Sequence, residues 1–303
     1  MKLLLMISLL TSMITFDPLP SLPLQDDAQK AVRAQELLKQ TRATLGCEKL
    51  KSLSFNGGYR QVMGEMEMAG EIEMEMLLPD SFYKAVTTSM MGAEITRVEA
   101  VNSETAWMDM RNSAPSGGAI MIRAANNNST MDAQKAQEIV VRHEFARFLL
   151  GFIATAPASA QLEYSYAGIA EAPDGNADVI EVKGQLGFNA QLFLDQKTHL
   201  PLMLSYKARK PRVVTRMMSG GSPADVKKLT PEEIEKHAKE AREKAEAEPP
   251  VEYQLRFEDF SEEGGVKLPH RISKTIDGKI TEEWDLKKFK INPSIKPNKF
   301  EKK

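Results

Sequence analysis

Glu65-Met66-Glu67-Met68-Ala69-Gly70-Glu71-Ile72-Glu73-Met74-Glu75-Met76-Leu77-Leu78 is the stretch from which the fold of this chain can be read. Successive side chains of a β-strand point to opposite sides of its sheet. One side of this stretch carries Met66, Met68, Gly70, Ile72, Met74, Met76 and Leu78. The other carries Glu65, Glu67, Glu71, Glu73 and Glu75, with Ala69 and Leu77. Such a strand belongs to an antiparallel sheet that covers a core with one face and meets solvent with the other.

Working outward, the period of two continues in both directions. Leu53 and Phe55 open a strand before it, and Asn56-Gly57-Gly58 predicts a bulge or bend ahead of Tyr59 to Val62. Pro79-Asp80 ends the quoted strand, and β-type runs follow at 82–90, 93–101 and 106–110, a meander. Strands resume at 160–169, 178–183, 190–195 and 202–207, and the last are 251–260, 268–276 and 280–291, with Asp277-Gly278 as a two-residue hairpin turn.

Helical spacing appears in three places. From Asp26 to Gly46 the apolar residues Ala28, Ala31, Val32, Leu38 and Leu45 recur on one face. A second helix is predicted from Asp132 as N-cap to Gly151 as the residue past its C-terminus, with Ala136, Ile139, Val140, Ala146, Leu149 and Leu150 inward. Between 209 and 250 the strand pattern breaks: a basic stretch and Ser219-Gly220-Gly221-Ser222-Pro223 precede a charged helix opened by the capping box Thr230-Pro231-Glu232-Glu233. This reads as a mobile insertion in a single domain spanning 26–303. The Gly-, Ser- and Asn-rich stretch 113–130 reads as a loop.

Met1-Lys2 and the apolar run from Leu3 to Phe16 form a signal-peptide pattern, so 1–25 is expected to direct export. The run is about 14 residues, shorter than the ~20 of a membrane-spanning helix. Cleavage and retention as an N-terminal anchor are both open. The single cysteine, Cys47, excludes an internal disulfide framework and reads as a small buried apolar residue. With 40 basic and 42 acidic residues there is no global field for nucleic acid, and no nucleic-acid partner is expected. The basic run from Lys207 to Arg216 reads as a solvated linker or a contact for anionic headgroups.

Catalytic motifs are missing. His143-Glu144 begins like a zinc-protease motif, but Arg147 stands where its second histidine would be. There is no nucleophile elbow, phosphate loop or dinucleotide fingerprint, and the glutamates of 65–75 lie on one solvated face. No enzymatic activity and no cofactor are expected. The methionines leave three readings open: an ordinary core, an adaptable apolar binding wall, or Cu(I) ligation by the pairs Met66-x-Met68 and Met74-x-Met76. A partner-binding module without a ligand is the remaining class.

Several local motifs resemble the outer-membrane lipoprotein carrier (LolA/LolB-like) superfamily. They are Gly70 to Phe82, ending Leu78-Pro79-Asp80-Ser81-Phe82; Asn102-Ser103-Glu104-Thr105-Ala106-Trp107 within 94–110; Asp195-Gln196-Lys197-Thr198-His199-Leu200-Pro201-Leu202; and the closing stretch 289–300. The chain departs from the carrier at Leu78, where the family has a basic residue before the proline. The resemblance implies a mainly β, α+β fold, a curved antiparallel sheet forming an incomplete barrel with helices over its concave apolar face. It implies a periplasmic, non-enzymatic protein that holds a lipid or lipoprotein acyl chain and meets envelope membrane proteins. Met66, Met68, Met74, Met76, Phe82, Tyr83 and Trp107 are then the expected cavity wall.

Overall fold

The computed structural model describes residues 27–90, 93–112, 122–124, 130–172, 175–210, 213–215 and 249–302. The expected leader and the helix at 230 lie outside them, as does most of the loop at 113–130. In chain order the elements are α1 (Asp27–Leu45), β1 (Ser52–Met63), β2 (Met66–Leu77), β3 (Ser81–Met90), β4 (Ala93–Val101), β5 (Ala106–Asn112), β6 (Ile122–Ala124) and α2 (Thr130–Ile153). They continue with β7 (Glu163–Ala172), β8 (Gly175–Lys183), β9 (Asn189–Asp195), β10 (Pro201–Ala208), β11 (Val213–Thr215), β12 (Val251–Glu263), β13 (Val266–Ile276) and β14 (Lys279–Ile291).

Twelve strands form one sheet in the order β5-β4-β3-β2-β1-β14-β13-β12-β10-β9-β8-β7. Every neighbouring pair is antiparallel, and the first and last of the described strands, β1 and β14, pair with each other near the middle. The sheet does not close, since β5 and β7 are its edges. This is the mainly β, incomplete-barrel architecture expected from the sequence. Leu53, Phe55, Ile72, Met74, Met76, Phe82 and Val86 of one wing join Ile180, Leu192, Leu204, Leu255, Phe257, Ile272 and Leu286 of the other in a single core with both helices. We call this side the inner face.

Local chemistry explains the connections. The bulge expected at Asn56-Gly57-Gly58 falls on the partner strand instead: between Ser54 and Asn56 the register against β14 steps from Lys290 to Lys287, so the extra residue belongs to β14, where Lys288 takes φ 52°, and β1 keeps unbroken register with β2. Asp277 and Gly278 take φ of 49° and 74°, the left-handed pair that a two-residue hairpin turn demands. Two turns named by the family resemblance are built alike. Asn102 Oδ1 accepts from the Glu104 and Thr105 amides and the Thr105 hydroxyl, and Asp195 Oδ1 accepts from the Lys197 and Thr198 amides and the Thr198 hydroxyl.

The structure departs from expectation in three further places. In α1 the buried residues are Ala34, Leu37, Leu38, Thr41 and Leu45, while Ala28, Ala31 and Val32 face out. α1 meets the sheet along the edge strand β7 and at β13, and only its later turns are covered. α2 runs on through Gly151 and ends at Ile153, with Ala154 at φ 51° closing it through its amide to the Leu150 carbonyl. Gly151 is there for close packing: a Cβ would lie 2.2 Å from the Phe257 ring. Finally, β6 and β11 pair with each other, Val213 opposite Ala124, where the sequence reading had a loop and a linker. Val213-Val214-Thr215 is all β-branched, the composition that favours a strand.

Candidate functional site

α2 lies across the inner face, approaching β4 and β5 in one wing and β9, β10, β12 and β13 in the other. From Phe145 to Ala154 it is buried all round. One flank is aromatic. Phe145 stacks on Phe82 with ring centres 4.6 Å apart, Phe148 on Phe152 at 4.8 Å, and Phe152 reaches Phe55 at 5.6 Å. Phe148 also meets Trp284 at 5.9 Å.

Of the seven residues expected to form a cavity wall, three come together here. Met76 is the cross-strand partner of Phe82, Met74 lies two residues along β2 on the same face, and both methionines have 0% exposed surface. Met66 and Met68 share their face but lie towards the β1–β2 hairpin, where Met66 is 41% exposed. At about 3.4 Å per residue, Met66 and Met76 stand roughly 34 Å apart, so the four sulfurs of the two Met-x-Met pairs do not converge on one point. Tyr83 and Trp107 are on the opposite, outer face, because they alternate with Phe82 and with the inward Ala106 and Met108. There they pack with Ala85, Val98 and Ala100. The closing stretch of the chain covers them: Trp107 Nε1 donates to the Phe300 carbonyl at 3.0 Å, and Lys299 Nζ lies over the Tyr83 ring and bonds Glu73. The seven residues therefore do not form one wall.

The other flank of α2 is ionic, and nothing in the motif reading anticipated it. Glu144 accepts the Tyr206 hydroxyl at 2.8 Å and the Lys274 ammonium at 3.1 Å, and pairs with Arg147 at 3.3 Å. The Arg147 guanidinium rests 3.8 Å from the centre of the Tyr206 ring, which is itself stacked on Tyr253. Lys274 stands 4.0 Å from Glu282, whose carboxylate accepts the Trp284 indole N–H at 3.3 Å. On the neighbouring wing Lys84 is bonded to Glu99, and Arg97 lies 3.3 Å from the same carboxylate.

These groups set one another's charge. Burial pushes the Glu144 carboxyl up, but Lys274, Arg147 and the Tyr206 hydroxyl outweigh it and hold it at about 2. Burial opposes charge on Lys274 as well, yet Glu144 raises it well above the ordinary lysine range. Glu99 and Glu282 are lowered despite burial, the first by Lys84 and Arg97, the second by Lys274 and Arg97. Burial and the nearby Arg147 bring His143 down to about 4, so it is neutral at pH 7. The result is a network of permanent charges, in which a carboxylate and an ammonium are held within bonding distance on the inner side of a half barrel.

The rest of the candidate chemistry is quiet. The Cys47 thiol is buried, pushed up to about 11 by that burial, and directed at the carbonyls of Arg42 and Ile153, which fits a structural residue. Among the described residues no group of three or more His, Cys, Asp and Glu side chains is placed to hold a metal ion. Among them also, no helix is long and apolar enough to cross a membrane. Open clefts lie away from α2: one of about 350 Å³ between Glu75, Lys290 and the stretch from Pro293 to Lys299, and one of about 310 Å³ along the exposed start of α1.

No protein-family model matches the chain, and no curated protein matches it. Solved structures do. A LolA superfamily protein from Nitrosomonas europaea is 13% identical with a TM-score of 0.50, over 89% of this chain and 97% of that one. An outer membrane lipoprotein-sorting protein domain from Vibrio parahaemolyticus is 8% identical with a TM-score of 0.49, over 89% and 97%. A DUF1329 family protein from Desulfovibrio piger is 9% identical with a TM-score of 0.43, over 88% and 97%. At 13% identity the likeness to the Nitrosomonas europaea protein is one of fold: the chain shares the architecture of that LolA superfamily protein.

Proposed function

We propose that this is a non-enzymatic binding or carrier protein of the cell envelope, which holds a lipid or lipoprotein acyl chain on the inner face of its open barrel. The observation that carries this reading is the aromatic edge of α2. Phe145, Phe148 and Phe152 occupy a wall of Met74, Met76, Phe82 and Phe55 through apolar contact. An alkyl chain would make the same kind of contact, which is non-directional and, at the thioethers, tolerant of shape.

Displacing α2 exchanges one apolar occupant for another. The gain comes from the ligand, at about 0.8 kcal/mol for each methylene removed from water. The wall is thus Met74, Met76 and Phe82, joined by Phe55 and Trp284. Tyr83, Trp107, Met66 and Met68 fall outside it. The leader-like N-terminus supports export to the periplasm, and the likeness of fold to a LolA superfamily protein supports the carrier class. A carrier of this kind would exchange its load with envelope membrane proteins.

Native mass spectrometry of protein purified from its own envelope, followed by organic extraction, tests this reading. The expected result is a co-purifying acyl lipid, or uptake of added fatty acid by the bare protein. Bare protein that takes up no fatty acid would refute it.

A further inference from the structure

We propose that Lys274 and Tyr206 form an anion subsite for the carboxylate head of a single-chain amphiphile, a place filled in the closed molecule by the Glu144 carboxylate of α2. The inference rests on the acyl-binding reading and adds the class of ligand to it.

Without α2, the sheet holds more cations than carboxylates around Lys274. The cluster has three cations, Lys84, Arg97 and Lys274, against two carboxylates, Glu99 and Glu282, while the inward Asp178 of β8 is engaged by Tyr166 and Gln196. Lys84 and Arg97 share Glu99. The close partner of Lys274 is Glu144 at 3.1 Å, whereas Glu282 is 4.0 Å away. Both Glu144 and its ring neighbour Arg147 belong to α2, and both leave Lys274 if α2 moves. Lys274 is 17% exposed with α2 seated, and an occupant that covers it again in place of α2 would make it costly to leave without an anion. The departure of α2 therefore favours a replacement that is also anionic, and a neutral head does not meet that need.

Position fits as well as charge. Glu144 sits on the same helix as Phe148 and Phe152, and at 1.5 Å rise per residue the axial distance from Glu144 to Phe152 is about 12 Å. A carboxylate at the Glu144 position would thus let its alkyl chain run along the wall that the phenylalanines now cover. The Tyr206 hydroxyl, held by stacking on Tyr253, supplies a fixed second donor beside Lys274.

Calorimetric titration of the full chain with dodecanoate and with dodecanol, which share a chain and differ in the charge of the head, separates the possibilities. Dodecanoate is expected to bind at least about tenfold more tightly, the worth of a charge-assisted hydrogen bond. In Lys274→Met that advantage should vanish while dodecanol still binds. If that variant does not fold, the pair Lys274→Met with Glu144→Leu removes both charges together and should show the same loss of preference. Glu144→Gln, which removes the internal rival's charge, should strengthen dodecanoate more than dodecanol, and no such gain would overturn the proposal. Equal binding of the two ligands by the unaltered chain would overturn the subsite and leave the acyl reading standing. Failure of both ligands to bind would overturn the two together.

Discussion

The two flanks of α2 meet the same sheet by different physics. Towards β1–β3 the helix offers Phe145, Phe148 and Phe152 to a wall of phenylalanine and methionine. Towards β10 and β13 it offers Glu144 and Arg147 to Tyr206 and Lys274. The first flank supplies attraction without direction, because burial of apolar area does not depend on angle. The second supplies direction with little net attraction, because an ion pair taken out of water recovers little more than its desolvation. A helix held in this way has one place to sit and several ways to be replaced.

Substitutions on either flank test this division of labour. The largest effect is expected on the aromatic flank: Phe152→Ala removes a ring with no exposed surface and should cost about 3–5 kcal/mol in denaturant unfolding. On the ionic flank Lys274→Met should cost about 3 kcal/mol, since it leaves Glu144 and Glu282 without their shared cation. Adding Glu144→Leu to it should restore most of that loss, and failure to do so would mean that the pair stabilises more than it orients. Between the flanks, Gly151→Ala drives a methyl group into the buried Phe257 ring and should cost about 1–3 kcal/mol.

The smallest effect at neutral pH concerns His143. The folded protein keeps it neutral down to about pH 4, while the unfolded chain takes up its proton near 6.5. Stability is therefore full above pH 6.5 and falls as the pH drops towards 4. Glu144, Glu99 and Glu282, all lowered, add further loss below the ordinary glutamate value, Glu144 down to about pH 2. His143→Gln should leave the melting temperature at pH 7.5 nearly unchanged and flatten the decline between 6.5 and 4. An equally steep decline in the variant would assign that limb to other groups.

Much of the sheet was legible because a period of two is a local signal. The quoted strand 65–78 has its apolar face inward as read, and the hairpin at Asp277-Gly278 follows from two residues. Long-range packing was not legible. That Tyr83 and Trp107 sit under the closing stretch of the chain depends on Phe300 and Lys299 arriving from about 200 residues away. Gly151 looked like a helix stop because glycine serves both for left-handed backbone and for close approach, and only Phe257 decides between them.

The ionic flank did leave a trace. Lys84 shares its face with Phe82 and Val86, Glu99 with Val101, Lys274 with Ile272, and Glu282 with Trp284, so each is a charge on an inward register. Read as breaks in an apolar pattern they were invisible one at a time. Read together they are complementary charges on one face, the signal by which the site could have been found.

The two tryptophans, finally, divide the molecule optically. Trp284 lies on the inner face beside Phe148, and Trp107 on the outer face, bonded to the carbonyl of Phe300. Emission from Trp284 thus reports the seat of α2, and emission from Trp107 reports the docking of the chain's end. With Trp107→Phe and Trp284→Phe, fluorescence can follow the two sides of one sheet separately, without an added dye.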